Sequence, residues 1–221
     1  MQIFDVIVRF FQEGGAFMFP IAIVLAIGLS IALERYFFLA SAKHTNKKAF
    51  SELEPLLNNQ RFDQVEKLSA KGSAPVARVI GAGIARLQVS PRREDIEYAM
   101  EEGLMETIPR LEKRTPYLGT LANISTLLGL LGTIIGLIAA FSAVANADPS
   151  EKASLLSQSI SVAMNTTAFG LIAAIPLLAL HSILQTKTVE IVDSMEMAGV
   201  KFLNALMAKK SVTPFSRQAD E

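Results

Sequence analysis

The sequence predicts an all-α membrane protein in which three transmembrane helices continue as long helices into a cytoplasmic helical domain. Three windows contain no Asp, Glu, Lys or Arg, and they cover Gly14–Leu33, Thr115–Ala147 and Ala153–Thr186. A hydrocarbon core of about 30 Å requires about 20 apolar residues in a helix, so each window is long enough to cross it. The stretch between the first two windows is densely charged in both signs, which indicates a water-exposed domain.

The overall composition limits the partners and the chemistry that are open to the chain. Lys plus Arg and Asp plus Glu number 21 each in 221 residues, so the charge balance predicts no nucleic-acid partner. The chain has no cysteine, which excludes disulfides, thiolate nucleophiles and cysteine metal sites. The two histidines are isolated in the sequence, and we therefore expect no metal site.

The first predicted elements are a helix at the membrane surface and a membrane span. Residues 1–16 are expected to form a periplasmic amphipathic helix, because large apolar side chains recur on one side of the helical wheel. The first transmembrane helix is predicted at 17–39. A cleaved signal peptide is the alternative, since Ala40-Ser41-Ala42 looks like a cleavage site. Charges of both signs precede the window and its apolar core exceeds roughly 7–15 residues, which favours a retained helix.

The charged stretch is predicted to form a domain of its own at 40–114. Apolar residues at intervals of three and four indicate three or four amphipathic helices. The last of them begins near Arg92 and is rich in acidic side chains, which form either a solvated face or a docking surface. The second transmembrane helix, with its cytoplasmic extension, is predicted at 115–146, and a periplasmic turn follows at 147–152. The third transmembrane helix is predicted at 153–186 and a cytoplasmic tail at 187–221.

The distribution of basic residues predicts the orientation in the membrane. Lysines and arginines flank the windows on the side of the charged domain and the tail, whereas the opposite side has only Arg9 and Lys152. Loops rich in Lys and Arg stay in the cytoplasm. The N-terminus is therefore expected outside, with the charged domain and the C-terminus inside.

Both later transmembrane helices carry a narrow face of small residues with a threonine near its middle. On the helical wheel Thr133 aligns with Thr126 in the second helix, and Thr167 occupies the matching face of the third. The small residues of the two faces are Gly129, Gly136, Ala140, Ala163, Gly170 and Ala174. Such faces usually serve close helix packing, but their hydroxyls also suit a polar conduction path, and both interpretations remain open.

Neither of these two helices contains a carboxylate. A path for protons or cations through hydrocarbon ordinarily needs an ionisable group. If the chain conducts ions, another chain must therefore supply the charge.

Two motifs carry a resemblance to a known family. GLLGTIIGL in the second transmembrane helix and TTAFGLIAAIP in the third resemble the MotA/TolQ/ExbB proton-channel family, and the three-span layout looks like its TolQ/ExbB branch. The resemblance implies a non-enzymatic rotary motor subunit of the bacterial inner membrane. Five copies would surround a dimer of a single-span ExbD/TolR-like partner, whose membrane aspartate supplies the missing carboxylate. It also implies that Thr133 and Thr167 line the ion path. The alternatives are a flagellar-stator-like torque generator and a passive membrane scaffold.

The resemblance also bears on which ion is carried. ExbB and TolQ have a glutamate five residues before the threonine of the third helix, where this chain has Val162. This chain places Asn165 and Thr166 beside Thr167, and both are expected in the ion path as well. Doubled threonines resemble those of sodium-driven flagellar stators. Because sodium prefers oxygen ligands, transient Na+ binding at Thr133, Thr166 and Thr167 is a hypothesis beside proton transport. No resident cofactor is expected.

Overall fold

The computed structural model describes residues 14–59, 61–72, 74–145 and 147–212, and all regular structure within them is helical. The helices in chain order are α1 (Met18–Asn58), α2 (Phe62–Lys71), α3 (Pro75–Val89), α4 (Arg93–Glu112), α5 (Thr115–Ala145) and α6 (Lys152–Val212). Three helical stretches, in α1, in α4 with α5 and in α6, are long and apolar enough to cross a membrane. The predicted all-α membrane fold is confirmed. The amphipathic helix expected at 1–16 lies outside the described residues, except for its last three, which belong to a turn.

The first and last of these helices run far past their uncharged windows. Helix α1 has 41 residues and α6 has 61, whereas about 20 suffice to cross the hydrocarbon. Pro20 does not break α1, because it lies in the first turn, where a backbone N–H would have no carbonyl of a preceding turn to bond. Pro176 lies inside α6, a position that membrane helices tolerate. Both helices therefore carry the chain from apolar into charged sequence without a loop.

A short break separates α4 from α5. The sequence predicts that Pro109 and Pro116 kink or interrupt one long helix here. Pro109 lies inside α4, Pro116 lies in the first turn of α5, and the break falls between them at Lys113 and Arg114. Arg114 adopts a left-handed φ of 68°, which ends the regular hydrogen bonding, and its Nη1 lies 3.4 Å from Oε2 of Glu34. Both side chains are about half exposed, so this ion pair contributes at most about 1 kcal/mol.

The chain divides into two compact units. The apolar unit contains the described residues up to Arg35 together with Arg114–Ile183, and the charged unit contains Tyr36–Lys113 together with the chain from Leu184. Two of the three boundaries lie inside α1 and α6, and the third lies at the break between α4 and α5.

In the apolar unit, α1 packs against α6. Met18 and Ile21 are fully buried in one cluster with Phe169 and Ala173. Further along, a Cβ added to Gly28 would come within 2.6 Å of the Leu177 side chain, so the two helices approach closely. Within a bilayer, lipid tails are as apolar as the side chains, so this packing stabilises the unit through van der Waals contact.

A row of large apolar side chains on α5 remains exposed in the single chain. The exposed residues are Ile124, Leu127, Leu130, Leu131, Ile134, Ile135, Ile138 and Phe141. A soluble monomer rarely exposes a contiguous apolar patch of this kind. This face of α5 therefore needs lipid or another protein chain as its environment.

The charged unit has a core of its own, formed by α2, α3 and α4 with the ends of α1 and α6. Phe202 of α6 is fully buried and meets the Phe62 ring edge-on at 6.1 Å. Asn46 of α1, only 2% exposed, donates from Nδ2 to Ser194 Oγ at 2.6 Å and accepts from the Val76 N–H at 2.7 Å. Since Val76 lies in the first turn of α3, Asn46 satisfies a donor that has no partner within that helix. One buried amide thus connects three helices of this unit.

Candidate ion path

Helices α5 and α6 meet through residues that have almost no side chain. A Cβ added to Gly129 would lie 3.2 Å from the Gly170 Cα, and one added to Gly136 would lie 2.8 Å from the Ala163 Cβ. The two backbones therefore approach as closely as glycine and alanine allow. Such close contact lets the hydroxyl of one helix reach a backbone carbonyl of the other.

The six small residues that the sequence placed on the two faces all lie in this part of the protein. Gly129 faces Gly170 and Gly136 faces Ala163, while Ala140 is fully buried. Ala174 is 2% exposed. Gly129, Gly136, Ala163 and Gly170 therefore pack two helices of one chain against each other, so their side-chain positions are not free to line a path. The buried row on α5 continues through Leu118, Ala122, Ser125, Gly129 and Gly132. Thr126, which aligns with Thr133 on the helical wheel, is exposed, and among the described residues its hydroxyl bonds only to the Ala122 carbonyl of its own helix.

The contact between α5 and α6 brings two threonine hydroxyls together. Thr133 Oγ1 and Thr167 Oγ1 are hydrogen-bonded to each other across the helices. Thr167 Oγ1 also donates to the Gly129 carbonyl at 2.8 Å. Thr133 Oγ1 lies 3.2 Å from that carbonyl and 3.4 Å from the Ala163 carbonyl. Two hydroxyl and two carbonyl oxygens therefore converge at one point, which we call the hydroxyl pair.

The hydroxyl pair can accept hydrogen bonds or ligate a cation, but it holds no charge. Each hydroxyl has one proton and two acceptor lone pairs, so the pair retains acceptor capacity after its internal bonds are made. Both threonines are only partly buried, which leaves them reachable from one side. Neutral oxygens of this kind suit water, a hydrated proton or a hard cation. Among the described residues, no group of three or more His, Asp or Glu side chains could hold a metal ion.

Thr166, predicted to act with this pair, points elsewhere. Its side chain is 2% exposed, and Oγ1 donates to the Gly14 carbonyl at 2.6 Å. The Val162 carbonyl, one turn earlier in α6, lies 3.0 Å from the same oxygen. Asn165 is half-buried, and its amide has no hydrogen-bond partner within the described part of the chain. The structure therefore joins Thr133 to Thr167 and directs Thr166 to the turn that precedes α1.

Two contributors to this site are absent from the sequence-based set. Gly132 receives the Thr166 methyl group, since a Cβ there would lie 2.4 Å from the Thr166 Cγ2. The spacing of Ser125, Gly129, Gly132 and Gly136, at alternating intervals of four and three, is a signal that could have found it. The Gly14 carbonyl is the other contributor, and a backbone acceptor has no signature in the sequence.

Comparisons with known proteins connect this geometry to a family. The family described as the MotA/TolQ/ExbB proton channel family matches residues 71–197. A putative biopolymer transport protein ExbB homolog of Methanothermobacter thermautotrophicus is 27% identical over 203 residues, covering 89% of this chain and 69% of that protein. The biopolymer transport protein exbB1 of Vibrio cholerae is 30% identical over 177 residues, covering 76% of this chain and 74% of that protein. The Tol-Pal system protein TolQ of Haemophilus influenzae is 38% identical over 78 residues, covering 35% of this chain and 34% of that protein.

The family match spans more than half of the chain, and it contains all of α5 and the part of α6 up to residue 197, which includes both threonines of the hydroxyl pair. The relatives named ExbB and TolQ, together with three membrane-length helices, agree with the branch that the sequence motifs resemble. The chain is therefore a multi-pass membrane protein that belongs to the MotA/TolQ/ExbB proton channel family, in its ExbB/TolQ-like branch.

Proposed function

We propose that five copies of this chain form an ion channel that couples the proton or sodium motive force to mechanical work. In this proposal the pentamer surrounds a dimer of a single-span, ExbD/TolR-like partner and transmits work through it. The observation that carries the proposal is the hydroxyl pair, which offers polar oxygens inside the two uncharged windows Thr115–Ala147 and Ala153–Thr186, neither of which contains a carboxylate. A membrane aspartate from the partner would complete the path, because ion movement through hydrocarbon needs an ionisable group.

The proposed setting is the inner membrane of a bacterium. The N-terminus would face the periplasm, and the charged unit with the C-terminus would face the cytoplasm. The concentration of Lys and Arg beside the charged unit supports this orientation. The exposed apolar row on α5 supports assembly, because lipid and neighbouring subunits together would cover it.

The transported ion in this proposal is Na+ or H+. Two hydroxyls and two carbonyls supply the neutral oxygens that a sodium ion needs in place of its water. The same oxygens would also hold water molecules that pass a proton to and from a partner carboxylate. With Thr166 bonded to Gly14, the sodium ligand set reduces to Thr133, Thr167 and the two carbonyls.

Transport measurements in defined salt decide between the two ions. The complex of this chain with its partner is reconstituted in vesicles, and uptake is driven by a sodium gradient or by a pH gradient alone. Sodium coupling predicts uptake that saturates with sodium and stops when potassium replaces it. Full activity without sodium would exclude sodium coupling and would indicate that the transported ion is H+.

Two other functions make different predictions in the same preparation. A passive scaffold, which the tight packing of α5 on α6 would equally serve, shows no ion uptake under either gradient. A torque generator acting on a cytoplasmic rotor shows uptake, but it loses function when the exposed charges of α4 are neutralised. On α4, Arg93 lies 3.9 Å from Glu97 one turn away, which is the pairing expected of a solvated face.

A further inference from the structure

The turn that precedes α1 is seated on α6 through two glycines. Gly15 has a left-handed φ of 73°, a conformation that glycine adopts without steric cost. A Cβ at Gly15 would lie 3.1 Å from the Val162 Cγ1, so the turn passes directly over the α6 surface. The turn then leads into α1, where the Met18 N–H donates to the Gly15 carbonyl at 3.3 Å. We call this segment, Gly14–Phe17, the N-terminal turn.

Thr166 holds the N-terminal turn by a buried hydrogen bond. Its hydroxyl has one proton, and the 2.6 Å contact with the Gly14 carbonyl is shorter than the 3.0 Å contact with Val162. Gly14 is itself buried, so its carbonyl would lose its hydrogen-bond donor if the hydroxyl were removed. Leaving a buried carbonyl unpaired costs more than the net value of a hydrogen bond, and this bond therefore fixes where the turn lies.

The methyl group of Thr166 is fixed as firmly as its hydroxyl. Gly132 of α5 has no side chain, and the Thr166 Cγ2 occupies the space that a Cβ would need. The Phe17 Cβ lies 3.3 Å from the same point, so the N-terminal turn and α5 enclose Thr166 together. A side chain held on both sides cannot turn toward a passing ion without breaking these contacts.

We infer that Thr166 is a positioning residue, which clasps the N-terminal turn to α6 and so keeps Thr167 against Thr133, and that it is not a ligand of the transported ion. Adjacent residues of a helix point about 100° apart, so fixing the direction of Thr166 also fixes the direction of Thr167. The two adjacent threonines therefore have different roles: Thr166 holds the N-terminal turn, and Thr167 contributes its oxygen to the ion path. The part of this inference that concerns transport depends on the proposed ion-channel function.

A valine and a serine variant separate the clasp from a ligand role. Thr166→Val keeps the shape but removes the hydroxyl, whereas Thr166→Ser keeps the hydroxyl and loses the methyl group. Both are made in the full chain and purified with its partner. Deuterium exchange at the amides of residues 16–19 and 21 reports on the N-terminal turn, and ion uptake is measured as a function of cation concentration.

A specific combination of results is expected if the clasp, meaning the hydrogen bond from Thr166 to the Gly14 carbonyl, holds the N-terminal turn in place. Thr166→Val accelerates exchange about tenfold, as expected for the loss of one buried hydrogen bond, and lowers the maximal rate of uptake. It leaves the half-saturating cation concentration unchanged, because no ion ligand has been lost. Thr166→Ser restores slow exchange and most of the uptake.

Three results would overturn the inference. They are unchanged exchange in Thr166→Val, an unchanged maximal rate, or a shift in the half-saturating concentration, which would make Thr166 a ligand. The exchange measurement needs no transport, so it tests the clasp even if the wild-type complex moves no ions. Failure of uptake in the wild type would therefore count against the proposed function and not against the clasp.

Discussion

Replacing Thr167 by valine is expected to lower ion-driven activity about ten- to a hundredfold and to leave assembly with the partner intact. Valine preserves the volume and removes an oxygen that bonds both Thr133 and the Gly129 carbonyl. The lost interactions correspond to about 1–3 kcal/mol at a point where the ion has few other ligands. Uptake by reconstituted vesicles measures the activity, and the mass of the purified complex measures the assembly.

Thr188→Val serves as the matched control for this variant. Thr188 is also a buried threonine of α6, but within the described part of the chain its hydroxyl bonds only to the Leu184 carbonyl of its own helix, at 3.1 Å. It lies beyond the uncharged window, so its replacement is expected to leave ion uptake unchanged. If Thr167→Val fell apart during purification while Thr188→Val did not, the hydroxyl pair would be a packing feature and not a conduction feature.

The second large effect is expected from Gly170→Ala at the closest approach of α5 and α6. The added Cβ would lie 2.7 Å from the Ser125 carbonyl oxygen and 3.0 Å from the Gly129 Cα. Both are backbone atoms that cannot rotate away, so the helices must separate. Overpacking of this kind costs about 1–3 kcal/mol, and the unfolding temperature of the purified protein should fall. Separation would also part Thr167 from the Gly129 carbonyl, so ion uptake should fall with stability.

Gly119→Ala tests whether the effect comes from crowding and not from losing any glycine of a membrane helix. At Gly119 an added Cβ meets only the His181 ring, at 3.8 Å, which is an ordinary van der Waals distance. Because alanine favours a helix over glycine by roughly 0.5–1 kcal/mol, this variant should be as stable as the wild type or more so. Equal losses in the two variants would contradict the close contact described for Gly170.

The larger features of this fold follow from properties that a sequence displays directly. Length and the absence of charge mark the three spans, and apolar spacing marks the helices between them. The hydroxyl pair was also predictable, because Thr133 and Thr167 each lie on a face of small residues within a motif that resembles the family. The continuation of α1 and α6 beyond Leu33 and Thr186 belongs to the same prediction, since a helix that leaves the membrane can continue wherever its next residues still favour one.

The role of Thr166 was beyond a sequence-based argument. Two adjacent threonines look equivalent when only residue types are considered, and both were assigned to the ion. Their difference depends on a backbone carbonyl of Gly14, distant in sequence, and on the absence of a side chain at Gly132. Neither a backbone carbonyl nor an absent side chain produces a recognisable pattern in the sequence. The sequence likewise does not show which face of α5 packs against α6, and it is this choice of face that leaves Thr126 exposed.

In the proposed complex this chain supplies the oxygens of an ion path while another chain supplies the charge. Cation flux is measured in vesicles that contain this chain alone, the complex with its partner, or the complex with the partner's membrane aspartate changed to asparagine. Flux is expected only in the unmodified complex. Flux through this chain alone, or undiminished flux after the aspartate is replaced, would contradict this division of roles.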